Sequence, residues 1–338
     1  MSQVSVLVAA HDAATTLGAT LKSVAQQELR AWECVVVDDG STDGTAEVVR
    51  SMAASDARFR LIQQPHQGVV AARNAGIQAC SSPFVAILDA DDCMHPRRLR
   101  LQMEAFEARP QLHALGTHVR YTPRESMAAG RRAYEEWLNS HTSPADLWRD
   151  RFVEMPLGHP TMTVRASLLR ATPYRDMGWP EDWDLLQRIF QLVGPDAIDV
   201  VPEVLHDWAL HEDSLSSQSQ AYSVEAFTRC RAAFLASDFL GEEESYALMG
   251  YGDTGKALRK ALSVYGKTCS RIYELHPGRI GQEMDGAEVV SHDRLLDQPH
   301  PSKTKLLVSV SGLEARTALR KLLAQVGLRD TEDFICCA

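Results

Sequence analysis

The sequence predicts an α/β protein with two domains, each built on a mostly parallel sheet flanked by helices, and three observations predict it. Short, strongly apolar runs alternate with helical segments through the first third of the chain. Runs such as Val4–Ala10 (VSVLVAA) and Phe84–Leu88 (FVAIL) show no polar alternation, so both faces must be covered, as in a parallel sheet. Beyond an acidic stretch at Gly241 the strand–helix alternation begins again, around Gly250-x-Gly252-x-x-Gly255. The division that follows is residues 1–220, a helical linker over 221–244, and a smaller α/β domain over 245–338.

Taken in order, Val4–Ala10 is a buried strand and Thr15–Gln27 a helix. Cys34–Val37 is a second strand, running into the turn-rich DDGSTDGT. Arg60–Gln63 is a third strand and Val69–Cys80 an alanine-rich helix. Phe84–Leu88 is a buried strand followed by DADD, and Arg97–Arg109 is helical. Residues 120–156 mix charge, tryptophan and turn formers and carry no clear period. Pro180 opens a helix reaching Val193. Within it Leu186, Ile189, Phe190 and Val193 make an i, i+3, i+4, i+7 stripe, and Asp182, four residues before Leu186, projects toward that stripe. Ala221–Ala236 is helical; Ala247–Gly250, Arg271–Glu274 and Lys305–Val310 are strands.

The composition narrows the function. The chain has 338 residues, 45% hydrophobic and 24% charged, which is ordinary for a globular protein. A net charge of −10 argues against a nucleic-acid binder that works by neutralising phosphates. Seven scattered cysteines without a Cys-x-x-Cys pair indicate free thiols in a reducing compartment, hence a cytoplasmic protein. No apolar run approaches the roughly 20 residues of a membrane helix, which leaves only peripheral membrane contact open.

In open α/β sheets ligands bind outside the carboxyl ends of the strands. The residues following the first, second and fourth strands are His11 and Asp12, Asp38 and Asp39, and Asp89, Asp91 and Asp92. Gathered on one edge, these carboxylates repel one another, and a bound hard cation, Mg²⁺ or Mn²⁺, would offset the repulsion. The competing reading is that the same residue types form turns and cap helices, which explains DDGSTDGT alone equally well.

These segments, in this order, resemble glycosyltransferase family 2, whose fold is GT-A. The resemblance rests on VSVLVAAHDAATTLGATLKSVAQQ, VVVDDGSTDGT, GVVAARNAG, FVAILDADD, GWPEDWDLLQRI and HEDSLS, across roughly the first 220 residues. It implies a metal-dependent, inverting transfer of a sugar from a UDP-sugar to a hydroxyl on a saccharide or lipid-linked saccharide, as in polysaccharide biosynthesis. It implies that Asp39 accepts the imide N–H of uracil, with His11 and the backbone near Ala9 walling the base. Here the chain departs from the family, which more often has Pro-x-Tyr-Asn where this sequence has Ala9-Ala10-His11-Asp12. Asp89 and Asp91 match the Asp-x-Asp pair, with Asp91 on the metal and Asp89 on ribose or a metal-bound water. Arg73 matches a contact to the diphosphate, His211 resembles a late histidine that closes on the diphosphate or the metal, and Asp182 matches the general base. His159, Trp179 and Glu181 fall on the acceptor side.

Gly250, Gly252 and Gly255, with Glu274 at the end of the next strand, fit a dinucleotide-binding fingerprint. The segment resembles small Rossmann-like domains of sugar acyltransferases and nucleotide-sugar enzymes. A structural or assembly role, including homo-oligomerisation, is favoured there over a cofactor site for NAD. Three rivals stand against the transferase. One is a non-catalytic nucleotide-sugar sensor. Another is a nucleotidyltransferase, whose basic glycine-rich loop is missing from AAHDAATT. The third is a dehydrogenase resting on the C-terminal glycines alone.

Overall fold

The computed structural model describes residues 2–125, 127–211, 219–297 and 304–338. The chain divides into two compact units. The first is Met1–Leu147, Leu157–Met177 and Glu181–Ser217; the second is Trp148–Pro156, Gly178–Pro180 and Gln218–Ala338. The helix Val224–Phe234, read above as part of a linker, groups with the second unit.

The first unit holds eight strands: β1 Val4–Ala10, β2 Trp32–Asp39, β3 Phe59–Gln64, β4 Phe84–Asp89, β5 Cys93–Met94, β6 Ala114–Thr122, β7 Thr163–Arg165 and β8 Ile198–Ala209. They form one sheet in the order β3-β2-β1-β4-β7-β6-β8-β5. The β3-β2-β1-β4 half is parallel, β7 runs against both β4 and β6, and β6 and β8 are parallel to each other. Every residue of β2 is buried, as the unalternating apolar run requires. The register sets Ala9 beside both Val37 and Asp89, and Ala10 beside Asp38, so the acidic turns leave the sheet on one edge.

Helices cover both faces. Leu17, Leu21, Val24, Val49 and Leu99, from three helices, pack with Val6, Val8, Val36 and Leu88 of the strands. The helix Val69–Ala79 approaches β1 and β2 closely because Gly76 has no side chain: a Cβ there would sit 2.1 Å from Leu7 Cδ1. Arg73, one turn earlier on this helix, is thereby carried to the sheet.

Several elements escaped the sequence reading, among them β6, β8 and two helices in the middle of the chain. Ala129–Leu138 and Pro144–Asp150 are helical within the segment that lacked a period, and the strand β6 reaches into its start. The strand β8 contains Pro202, which ordinarily argues against a paired strand. The β6–β8 register shifts at Thr117 and His118, opposite this stretch, and pairing resumes beyond it.

The second unit carries β9 Ser245–Met249, β10 Thr268–Glu274, β11 Glu283–Met284, β12 Ala287–Ser291, β13 Lys305–Val308 and β14 Phe334–Cys336. Their order is β11-β12-β10-β9-β13-β14, all parallel except β11, so the winding direction reverses between β9 and β13. The mid-chain segment Trp148–Pro156 is part of this unit: Asp150 pairs with Arg320, Arg151 with Asp238, and Arg231 donates to the carbonyls of Phe152 and Val153. No helix among the described residues is long and apolar enough to cross a membrane.

Candidate active site

The loops after β1 and β2 are laced together by the polar residues of DDGSTDGT. Asp12 accepts from the Thr42 N–H at 2.7 Å, and the Ala13 N–H donates to Thr45 Oγ1 at 2.8 Å. Buried Asp38 accepts from the Ser41 N–H and from Gln63, so it builds the turn. Asp39 is also buried, at 2% exposure. Burial pushes its carboxyl up, but hydrogen bonds from Gln67, Gln64 and Gly68 outweigh this, with His66 adding to them, and its pKa ends below the ordinary value. Gln64 Nε2 and the Gln67 N–H reach Oδ1; the Gly68 N–H and His66 Nδ1 reach Oδ2, the latter at 2.9 Å. His11 Nδ1 lies 2.9 Å from the Asp39 carbonyl, and its ring stacks on His66 with centroids 4.1 Å apart. Ala9 is half-buried on β1 directly below this loop. Gly40 has φ +72, and a Cβ there would meet His66 N at 2.5 Å, so the turn accepts only glycine beside His66.

At the end of β4, Asp89 accepts from Arg73 at 3.1 Å, and the same guanidinium donates to Glu181 at 2.5 Å. Arg73 is buried and also lies over the Tyr174 ring. The neighbouring Asn74 clamps Tyr174 by its backbone, donating to its carbonyl at 3.0 Å and accepting from its N–H at 2.9 Å. Tyr174 Oη meets His159 Nε2 at 2.8 Å. Burial first, then the Arg73 charge, hold His159 well below the usual histidine range, so it is a neutral partner of Tyr174.

Asp182 follows Glu181 in the first turn of Glu181–Val193. Burial, then the Glu181 charge, raise its carboxyl to about 7, against the opposing pull of Arg73. A carboxyl poised near neutrality suits proton transfer. Asp184 on the same turn is structural, being bound by both Arg175 and Arg188.

The other acids of DADD divide their tasks. Asp91 is half-buried and pairs with His211 Nε2. Asp92 is buried and accepts from the Ala209 N–H at 2.7 Å and from His206 Nε2 at 2.8 Å. Arg98 reaches His206 Nδ1, and since arginine only donates, the ring proton belongs on Nε2, facing Asp92. Burial holds His206 well below and Asp92 well above their ordinary values, and brings Arg98 down to about 9. Asp92 therefore fixes the end of β8, and β8 delivers His211 to Asp91. The rest of HEDSLS lies outside the described residues.

In the second unit Gly250 turns with φ +86, and a Cβ on Gly255 would meet the Gly250 carbonyl at 2.5 Å. Gly252 faces open space. Glu274 spends its carboxylate locally: Oε1 accepts from the N–H groups of Leu275 and His276, and Oε2 from Arg279. Trp179 groups with this unit, whereas Glu181 belongs to the first.

Of the residues singled out from sequence, one hydrogen-bonded cluster joins Arg73, Asp89 and Glu181 with Asp182 beside them. A second joins His11 to Asp39, and a third Asp91 to His211. Sequence reasoning missed His66, Asn74, Tyr174 and His206. Asn74 stood next to Arg73 in the ARNAG segment, and that was its signal; His66, Tyr174 and His206 sit in stretches without a period. Among the described residues, the one group of three potential metal ligands within mutual reach is His11, Asp39 and His66.

Comparison with known proteins agrees with this architecture. The sequence model of the family described as Glycosyl transferase family 2 matches residues 5–172, about half of the chain. EpsE of Bacillus subtilis is 27% identical over 252 residues, covering 70% of this chain and 86% of EpsE. The succinoglycan biosynthesis protein ExoO of Rhizobium meliloti is 42% identical over 106 residues, 31% of this chain and 30% of ExoO, so that match spans under a third of either protein. Among solved structures, residues 1–349 of S. aureus TarS in complex with UDP-GlcNAc superpose with a TM-score of 0.55 at 17% identity, over 78% of this chain and 72% of that one. At that identity the likeness concerns the fold, which is the GT-A arrangement. The chain belongs to glycosyltransferase family 2.

Proposed function

We propose that the first unit transfers a sugar from a nucleoside-diphosphate sugar, UDP-linked, to a hydroxyl of a saccharide or lipid-linked saccharide, with inversion at the anomeric carbon. The observation that carries this reading is the Arg73 bridge: one guanidinium ties the first acid of DADD to the first acid of EDWD, and Asp182 stands next in the chain with its carboxyl raised to about 7. Family membership supplies the reaction class, and that cluster offers a carboxylate suited to act as the base.

In the proposed step the acceptor oxygen attacks the anomeric carbon on the face opposite the diphosphate. Its proton passes to an Asp182 carboxylate oxygen, and the bond from that carbon to the diphosphate breaks with its electron pair leaving on the diphosphate. A single displacement turns an α-linked donor into a β-linked product. Glu181 keeps Asp182 basic, and its ion pair with Arg73 keeps Glu181 in place. His159 and Tyr174 hold the other side of Arg73. Asp39 shapes the nucleobase end of the site beneath His11 and His66.

Asp91 and His211 face each other at the mouth of DADD and offer one carboxylate and one imidazole, a donor set that suits Mn²⁺ and also accommodates Mg²⁺. Asp91 and His211 would hold such an ion beside the leaving diphosphate. When bound, such an ion supplies positive charge to the leaving diphosphate.

The test is a panel of UDP- and GDP-sugars offered with Mn²⁺ to the full chain, with products read by mass spectrometry and NMR. A UDP-sugar giving a glycoside of inverted anomeric configuration supports the reading. Retention of configuration, or binding without turnover of any donor, overturns it.

A further inference from the structure

Trp208 is a large aromatic residue at this edge of the sheet that the mechanism above leaves unused. It sits at the carboxyl end of β8, one residue before Ala209, whose N–H binds Asp92, and three before His211, which meets Asp91. Strand alternation puts its side chain on the face of His206, the residue that bonds Asp92, and away from Asp207, which pairs with exposed Arg120. The parallel register sets Tyr121 beside Trp208, and the two rings stack with centroids 5.2 Å apart and planes 24° from parallel. Gly158, one residue before His159, lies against its edge: a Cβ there would be 3.5 Å from Trp208 Cζ3. Trp208 is nevertheless only half-buried.

This is an indole with one face backed by Tyr121, its edge fixed by a glycine, and part of its surface open to solvent. Trp32 and Trp183 in this unit are covered far more completely, at 2% and 0% exposure. The sheet order also separates the tasks along the edge. The nucleobase-shaping Asp39 leaves β2, the DADD acids leave β4, and Trp208 lies beyond them on β8, on the far side from the base.

We infer that Trp208 is a specificity-determining platform for the acceptor, stacking on the apolar C–H face of a pyranose ring. The acceptor class is therefore a molecule ending in a pyranose, as opposed to an acyclic polyol or an amino-acid hydroxyl. This inference rests on the glycosyltransferase reading of the same site.

The experiment uses the full chain with UDP and Mg²⁺, and saturation-transfer NMR with methyl β-D-glucopyranoside, methyl β-D-galactopyranoside and glycerol as probes. UDP binding is measured beside it by calorimetry. Wild type is expected to bind UDP and to saturate ring C–H protons of at least one glycoside but not of glycerol. Trp208→Ala is expected to weaken the glycoside roughly 3–10-fold with unchanged UDP affinity, the size of a lost aromatic stack, and Trp208→Phe to retain most of it. Equal glycoside binding in Trp208→Ala, loss of UDP affinity together with the glycoside, or wild-type binding of UDP without any glycoside each overturns the inference. Failure of wild type to bind UDP or any other nucleoside diphosphate instead overturns the glycosyltransferase reading beneath it.

Discussion

Arg73 donates to Glu181, 108 positions away in sequence, at 2.5 Å, and to Asp89 at 3.1 Å. That one side chain converts three separate motifs, the ARNAG helix, the DADD turn and the EDWD helix, into a single cluster. It also engages the Glu181 carboxylate in a buried ion pair. The Glu181 charge is held by Arg73 and raises the carboxyl of its neighbour.

Glu181→Gln removes a negative charge beside Asp182 and leaves Arg73 beside it. Both changes favour ionised Asp182, so its pKa must fall from about 7. The acid limb of the pH–rate profile for transfer is expected to move to lower pH by roughly one unit, a differential interaction of about 1.4 kcal/mol. An unmoved limb would show that the two carboxyls do not interact.

His66 occupies a lone pair of Asp39 Oδ2, and its side chain is exposed. A base imide that pairs with Asp39 must displace one donor, and His66 is the one that can swing into solvent. His66→Ala is expected to tighten UDP binding by about 2–10-fold, the size of one hydrogen bond no longer competed for, as measured by calorimetry. Weaker binding would mean that His66 itself holds the base.

His211→Ala and Asp91→Asn each remove half of the paired donor set at DADD. Both are expected to raise the Mn²⁺ concentration needed for half-maximal activity by roughly 10–100-fold, the usual cost of disturbing a metal shell. Asp92→Asn, by contrast, acts through the position of β8 and is expected to lower thermal stability as well. Activity that persists in the presence of a chelator would count against the assignment.

Much of this was legible in the sequence, for a reason particular to each element. The strands β1, β2 and β4 are buried on both faces, so their apolar runs announced a parallel sheet, and the acids following them had to share an edge. Arg73, Asp89 and Asp182 each stood in a motif, so their candidacy was visible. Their partners were not. That Arg73 would face Glu181 and Asp89 follows from how Gly76 seats its helix on Leu7, a packing fact no linear pattern records. The strand β8 was hidden by Pro202 and by alternating charged residues, and with it went His206 and Trp208.

The helix Val224–Phe234 and the segment Trp148–Pro156 were illegible for a related reason. Both belong with the sheet of the second unit although one precedes it and the other lies mid-chain. Sequence proximity suggested a linker and an unassigned loop, while the contacts of Arg231, Asp150 and Arg320 bind them into one unit.

Glu33 provides a stability prediction independent of catalysis. Its Oε1 accepts from Ser5 Oγ, the Ser81 N–H and Ser81 Oγ, and its Oε2 from Arg60, joining β1, β2 and the turn before β4. Burial pushes its carboxyl up, but these bonds outweigh it and bring the pKa down from 4.5 to about 2. A depressed folded-state pKa stabilises above the unfolded value, so this contribution is complete above pH 4.5 and is lost as pH falls toward 2. Glu33→Ala strands those donors and is expected to cost about 1–3 kcal/mol at neutral pH. The cost should shrink on acidification, as read by urea denaturation at pH 7 and pH 3.

The most direct test of the account is the pH dependence of sugar transfer by wild type and by Asp182→Asn, with UDP affinity measured on both. The account predicts a wild-type rate that rises with pH through about 7, as Asp182 loses its proton. It predicts a variant slower by roughly 10²–10⁴-fold, without that rise and with UDP affinity intact. A variant that transfers sugar at near wild-type rate with the same pH profile would contradict it.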